Sequence, residues 1–494
     1  MRRSIFMLLA VWTASLLVPG SPATAQGASG ATHGAPNTAQ DAPAATHGAP
    51  TTGQDAPFAT DGAPTMAQGA AAATHEASAT PQGAPAATCG APTTGQDAPA
   101  AIHGAPATAP GVTVVHGAPI TTPGASAATP RAATPRATTP AEYLVAAAER
   151  SVAERPDDAL AHADLAMAFA RRARERHDPQ DYERGLRAVE QALALSPANP
   201  VARRARVWVL LGQHEFTRAL DEALALAQEW PDDALVLGSL VDAHVELGHY
   251  GAAERAAQRL LDLAPGSVAA LTRAAYLREL FGDIDGALDL MQQAHRSVPA
   301  RETEDRAWVL TQIGHLQLAR GEVAAASAAL EAALATFPGY HYALAGLARV
   351  RTVQGEHAAA VDLYRARYRA APHPECLFDL AAALERAGRR NEARASFERF
   401  EREALAESEG WDNANRELIR YYVDHAGRPE AALPIAERER ARRRDVYTLD
   451  AYGWTLHALG RTAEARRAIA AALAVGVRDP EILDHAAALR RTAR

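Results

Sequence analysis

The sequence predicts an all-α protein, a helical solenoid preceded by a disordered low-complexity segment, and three observations carry that expectation. Apolar residues recur at helical spacing from residue 141 onward, in a background of Ala, Leu, Glu and Arg, all good helix formers. Pro197, Pro231, Pro265 and Pro299 stand 34 residues apart, and Pro338 and Pro372 continue the ladder after 39 and 34. Between residues 26 and 140 a fourteen-residue unit repeats instead, with almost no large apolar side chain to bury.

Composition bounds the rest. The 494 residues are only 5% aromatic, too few to fill several compact cores. A formal charge of -8 and a pI near 6.1 supply no basic footprint for nucleic acid or an anionic membrane surface, so neither partner is expected. Cys89 and Cys376 are the only cysteines, which rules out a disulfide framework and a four-cysteine zinc site.

Residues 1–25 read as a secretory signal: Arg2 and Arg3, an apolar run from Ile5 to Val18, then Ala23-Thr24-Ala25 before Gln26. The competing reading is an uncleaved anchor, but the run is shorter than the roughly 20 residues a spanning helix needs, and no second run follows. The expectation is an exported chain, periplasmic or secreted, with no integral span after cleavage. The nearest cysteine is Cys89, so no lipid-anchoring cysteine lies at the cleavage site.

In residues 26–140 the unit opens as Ala31-Thr32-His33-Gly34-Ala35-Pro36 and recurs from Ala45, Ala59, Ala73, Ala87 and Ala101. Such a segment cannot offset the backbone entropy lost on folding, roughly 1–2 kcal/mol per residue, and is expected to be a disordered spacer. Its third position reads His33, His47, Asp61, His75, Cys89 and His103, all of them possible metal ligands. Ligands fourteen flexible residues apart meet the cost of loop closure at every step, which favours a drifted minisatellite over a metal tether.

From residue 141 to 494 the repeat is built from helices. Seven glycines are each followed five residues later by alanine: Gly248/Ala253, Gly282/Ala287, Gly321/Ala326, Gly355/Ala360, Gly388/Ala393, Gly427/Ala432 and Gly460/Ala465. Glycine turns the chain between two helices, and the small alanine lets them pack closely. The period, with the pattern Leu240, Gly248-His249-Tyr250, Ala253, Leu260 and Pro265, resembles the tetratricopeptide repeat family.

The resemblance implies a right-handed superhelical solenoid of about nine antiparallel helix pairs. Its clearest units span 234–267, 268–301, 307–340 and 341–374, with an insertion at Glu302 to Arg306 and an extra loop near His177-Asp178-Pro179-Gln180. Glu142 to Arg155 and Pro480 to Arg490 are the expected capping helices. It also implies a concave groove lined by first-helix positions two, five, six, nine and twelve. On this chain those positions nominate Arg273, Tyr276, Trp308, Thr311, Gln312, His315, Tyr342, Arg349, Phe378, Tyr447, Asp450 and Trp454 as a surface for a protein or peptide partner. Some of these side chains have a competing role, sealing one repeat to the next. The clamp by which some relatives hold a chaperone's carboxylate is not legible, since the clamp positions carry Thr272, Thr311, Ala345 and Tyr276. The basic run Arg438 to Arg444 reads as a solvated helix end.

No phosphate loop, nucleophile elbow, His-Glu-x-x-His or EF-hand motif occurs. The thirteen histidines after residue 140 are scattered one or two per unit and form no ligand cluster in the sequence. The expectation is therefore no catalytic residue, no resident metal and no cofactor. The function that follows is an interaction scaffold in the cell envelope, of open oligomeric state. Its alternatives are an accessory subunit of an envelope enzyme or secretion complex and, further off, a metal-binding histidine stalk.

Overall fold

The computed structural model describes residues 139–491. The expected leader and the fourteen-residue repeats lie outside them. Helix α1 (Pro140–Glu154) begins with a capping box: Thr139 Oγ1 accepts the Glu142 amide, and the Glu142 carboxylate accepts the Thr139 amide at 2.7 Å.

Nine helix pairs follow among the described residues. They are α2 (Ala159–Arg176) with α3 (Pro179–Leu195), α4 (Pro200–Gly212) with α5 (Phe216–Glu229), α6 (Ala234–Glu246) with α7 (Tyr250–Leu263), and α8 (Val268–Leu280) with α9 (Ile284–Ser297). Next come α10 (Thr303–Ala319) with α11 (Val323–Thr336), α12 (His341–Val353) with α13 (His357–Ala370), and α14 (Pro374–Arg386) with α15 (Arg390–Glu407). Helix α16 (Asn415–Arg420), extended by one π-helical turn (Tyr421–His425), pairs with α17 (Pro429–Arg442), and α18 (Val446–Ala458) pairs with α19 (Thr462–Leu473). Helix α20 (Pro480–Arg491) closes the array.

Local chemistry explains the boundaries. Asp158, Asp178, Asn199, Asp233, Ser267 and Asp445 each accept first-turn amides as N-caps. The seven turn glycines all have positive φ, between +61° and +83°, and the paired alanines are all buried. The first helix of each pair is buried on nearly every face, whereas the second buries a single stripe, such as Ala253, Ala257 and Leu260 of α7. First helices therefore line the interior of a right-handed superhelix.

Two expectations about the connections between helices need correction. The extra loop near residues 177–180 is a two-residue turn, His177–Asp178, with Pro179 opening α3. The insertion at Glu302–Arg306 adds a first turn to α10, carrying Glu304 and Asp305 inward to meet Arg174 of α2. That contact spans about 130 residues of sequence.

Among the described residues the superhelix closes on itself at several such places. Arg171 reaches Glu302 at 2.7 Å, and Tyr340 donates to Glu304 at 2.8 Å. The Arg444 amide donates to the Glu246 carbonyl at 2.8 Å, and the Val446 amide to the Tyr250 hydroxyl at 3.0 Å. Gly282 and Gly476 pack backbone to backbone. Arg443, expected in a solvated basic run, instead turns into this seam between Glu246 and Glu439, because a cation there compensates buried carboxylates.

Candidate functional site

One open part of the interior is a cavity of about 530 Å³ bounded by α8, α10, α12, α13, α14, the π-helical turn and the start of α20. Successive first helices deliver its walls in register. Glu279, Leu318, Thr352 and Arg386 occupy position twelve of their units, His315 and Arg349 position nine, and Asp379 position five. Phe378, Tyr364 and Leu318 form apolar walls, and Asp424 and His425 enter from the π-helical turn. Such turns re-aim side chains within a helix and are frequent at functional sites.

The titrating groups are strongly tuned. Burial, aided by the Arg349 guanidinium, pushes the His315 imidazole down to about 3, so it stays neutral, and neither ring nitrogen has a hydrogen-bond partner. His357 Nδ1 is likewise unpartnered on the same wall. Burial, reinforced by the Asp479 carboxylate, pushes Glu279 up to about 8. Burial raises Asp379 by more than the Arg367 guanidinium lowers it. His425 is lowered by burial although the Glu385 carboxylate lies 3.0 Å away.

Of the residues the repeat register nominates, His315, Arg349 and Phe378 line this cavity. Tyr447 borders a neighbouring cavity of about 710 Å³ that shares Glu279, Ala319 and Pro480 with the first. Others turn elsewhere, and their expected groove exposure is corrected. Arg273 is buried in a bidentate pair with Asp242, at 2.6 and 3.0 Å, and also donates to the Gly238 carbonyl. Trp308 is only 7% exposed, packed with Leu316 and Tyr340 in one core cluster. Thr311 donates to the Ala307 carbonyl at 2.7 Å, and Gln312 is buried. Tyr276 packs with Leu280 and Val446 at the seam, and Tyr342 lies 3.8 Å from the His341 ring. Trp454 stacks on His485 at 3.9 Å and donates to Asp424 at 2.9 Å, while Asp450 accepts from His485. Closure of the superhelix sends Trp308, Thr311, Gln312 and Arg273, at positions two, five and six, into neighbouring repeats, while position nine of two units and position twelve of four face the cavity.

The residues missed from the sequence are Glu279, Thr352, Asp379 and Arg386, all within reach of the same register, and Asp424, His425 and Arg420, which no register signals because the repeat is irregular there. The histidines also need correction. They form no cluster along the sequence, but the fold gathers His177, His373 and Asp412 so that one potential ligand atom from each lies within 4.8 Å of the others. Separations of 196 and 39 residues hide that grouping from any local pattern.

An array of nine stacked helix pairs with an interior cavity defines a helical-repeat solenoid. Residues 239–302 and 311–373 match the tetratricopeptide repeat family, and the helix pairs on either side of them continue the same solenoid architecture. No curated protein matches the sequence. Similar solved structures include the APC/C hetero-tetramer Cut9-Hcn1, at 13% identity over 71% of this chain and 58% of that one, with a TM-score of 0.40. They also include the human IFIT1 dimer with PPP-AAAA, at 13% identity over 69% and 95%, TM-score 0.39. A monomeric IFIT1 mutant with m7Gppp-AAAA aligns at 15% identity over 66% and 75%, TM-score 0.44. Tetratricopeptide repeats generally serve as non-catalytic scaffolds that bind protein partners. Among the described residues no helix is long and apolar enough to cross a membrane.

Proposed function

We propose that this chain is an exported interaction scaffold whose interior cavity holds a polypeptide segment of a partner protein. The observation that carries the reading is His315, a neutral imidazole on the cavity wall with both ring nitrogens unsatisfied. A buried polar group without a partner is costly, and a bound segment that hydrogen-bonds to it removes the cost. Phe378 and Tyr364 offer apolar contact beside it, while Asp379, Arg386 and Asp424 supply both signs of charge, suiting a segment of mixed polarity. Export rests on the Arg2-Arg3, Ile5–Val18 and Ala23-Thr24-Ala25 pattern.

A photo-crosslinking amino acid at Thr352 or Arg386, compared with the same group at Arg394 or Glu398 on the outer face of α15, tests the cavity. Capture of one protein from the cavity positions alone supports the reading, and equal capture from both faces overturns it. Fractionation with N-terminal sequencing tests export: a mature chain beginning at Gln26 outside the cytoplasm is expected, and an intact cytoplasmic chain overturns it.

A further inference from the structure

Three connections that are far apart in sequence meet at one point of the solenoid. The α2–α3 turn contributes His177, the α13–α14 turn His373, and the α15–α16 connection Asp412. The rings of His177 and His373 are 4.5 Å apart between centroids, and His373 Nε2 lies 3.6 Å from Asp412 and 3.9 Å from Glu407. His341, whose ring is 5.3 Å from that of His177, completes the surroundings.

Several polar atoms here lack a hydrogen bond of ordinary length, and the carboxylates facing His373 stand off at ion-pair distance. Both ring nitrogens of His341, Nε2 of His373 and one carboxylate oxygen of Glu407 are buried without hydrogen-bond partners. His341 and His373 are each at least nine-tenths buried, at 2% and 5% exposure. Buried polar groups are ordinarily paired, so this many loosely paired atoms around one point leave lone pairs available to a ligand. Two imidazoles and a carboxylate, with a third imidazole and a second carboxylate adjacent, offer the nitrogen and oxygen lone pairs that a cation takes.

We propose that His177, His373 and Asp412 form a binding site for a divalent transition metal of the zinc class, with His341 and Glu407 as the groups nearest its remaining coordination positions. Imidazole nitrogen with carboxylate oxygen is a donor set suited to zinc, cobalt or nickel and not to calcium or magnesium. Ligand atoms around a tetrahedral zinc ion stand about 3.4 Å apart, so the present spread, within 4.8 Å, closes by up to about 1.4 Å on binding. The parts that move are connections, not helix interiors. His177 sits in the left-handed region at φ 54°, where a side chain is tolerated only when the surroundings hold it. The Asp412 connection is held in place by His214, whose Nδ1 lies 3.1 Å from the Trp411 carbonyl, and by Tyr182 packed edge-on against Trp411. Asp412 and Glu407 keep partial exposure, which gives the ion a way in. His373 Nδ1 accepts the Glu375 amide at 3.3 Å, and binding through Nε2 moves the ring proton to Nδ1, exchanging that long hydrogen bond for a metal–ligand bond. The ion would join the first helix pair to the seventh, acting as a clasp across the superhelix.

The full chain, stripped of metal, is titrated with Zn²⁺ by calorimetry, loaded with Co²⁺ for visible spectroscopy, and melted with and without Zn²⁺. The comparison is with full-chain Asp412→Asn, which retains side-chain size, and His177→Asn, which retains tolerance of positive φ. Comparing full chains cancels any binding by the histidines before residue 140. We expect one tight zinc equivalent in the wild type, weakened by 100-fold or more in each variant. The bands of four-coordinate cobalt and a zinc-induced rise in melting temperature should appear in the wild type alone. A wild type that shows neither the cobalt bands nor a zinc-induced rise overturns the proposal whatever the variants do. So do variants that fold and keep both.

Discussion

Arg367 shows what a single residue does in this interior. Its guanidinium is 1% exposed and pairs with both Glu375 and Asp379 on the next first helix. Removing it strands two carboxylates without their counter-ion, so Arg367→Ala should destabilise by about 3–5 kcal/mol, measured by urea unfolding. Glu279 acts the opposite way. Its unfolded carboxyl ionises near 4.5, whereas the folded one keeps its proton to about 8. Between those values the folded state holds the extra proton, so the contribution of Glu279 to stability falls as pH rises and is lowest above about 8. Asp479, pushed up to about 6 by burial, adds to the trend. Glu279→Gln should flatten the loss of melting temperature across this window, each pKa unit of difference corresponding to about 1.4 kcal/mol. A variant whose pH profile matches the wild type would mean that Glu279 is hydrated and ionises normally.

Pairs of helices are held by close backbone approach at small residues. Gly314 of α10 and Gly346 of α12 both face the fully buried Leu330 of α11, and a Cβ added at Gly314 would lie 2.7 Å from Leu330 Cγ. Gly314→Ala should therefore cost about 1–3 kcal/mol by overpacking, read as a lower urea midpoint with an unchanged slope. At this scale the sequence was highly legible. The turn glycines and their alanines mark the pairs because positive φ and close packing each admit few residue types. What was not legible is which face of a first helix meets solvent. Trp308 and His315 are seven residues apart, two turns of one helix, so they share a stripe of surface, yet Trp308 is sealed in the core and His315 faces the cavity.

Across the whole molecule, stability of a solenoid is ordinarily a sum of neighbour interfaces. Here the contacts from Arg174 to Glu304 and from Glu246 to Arg443 add terms between distant repeats. Gly248 and Gly355 separate the two effects. Both have positive φ, so alanine at either is strained by about 1–2 kcal/mol. At Gly355 nothing lies within 4 Å of the added Cβ, whereas at Gly248 it meets the Arg444 carbonyl oxygen at 2.7 Å. Gly248→Ala should therefore destabilise more and raise hydrogen exchange around residues 443–447, while Gly355→Ala leaves those amides protected. Equal effects would show that the seam contributes little to closure.

The repeat period, the pairing of helices and most helix boundaries, those near residues 177 and 303 aside, follow from the sequence alone, because capping, turn geometry and hydrophobic periodicity act over fewer than 40 residues. The same register reaches His315, Arg349 and, carried to position twelve, Glu279, Thr352 and Arg386. Only the tertiary structure decided that Arg273, Trp308, Thr311 and Gln312 are sealed inside, that Arg443 turns inward, and that His177, His373 and Asp412 converge. Those outcomes depend on how a small rotation per repeat accumulates over several pairs, and no local pattern of residues encodes where the chain will meet itself.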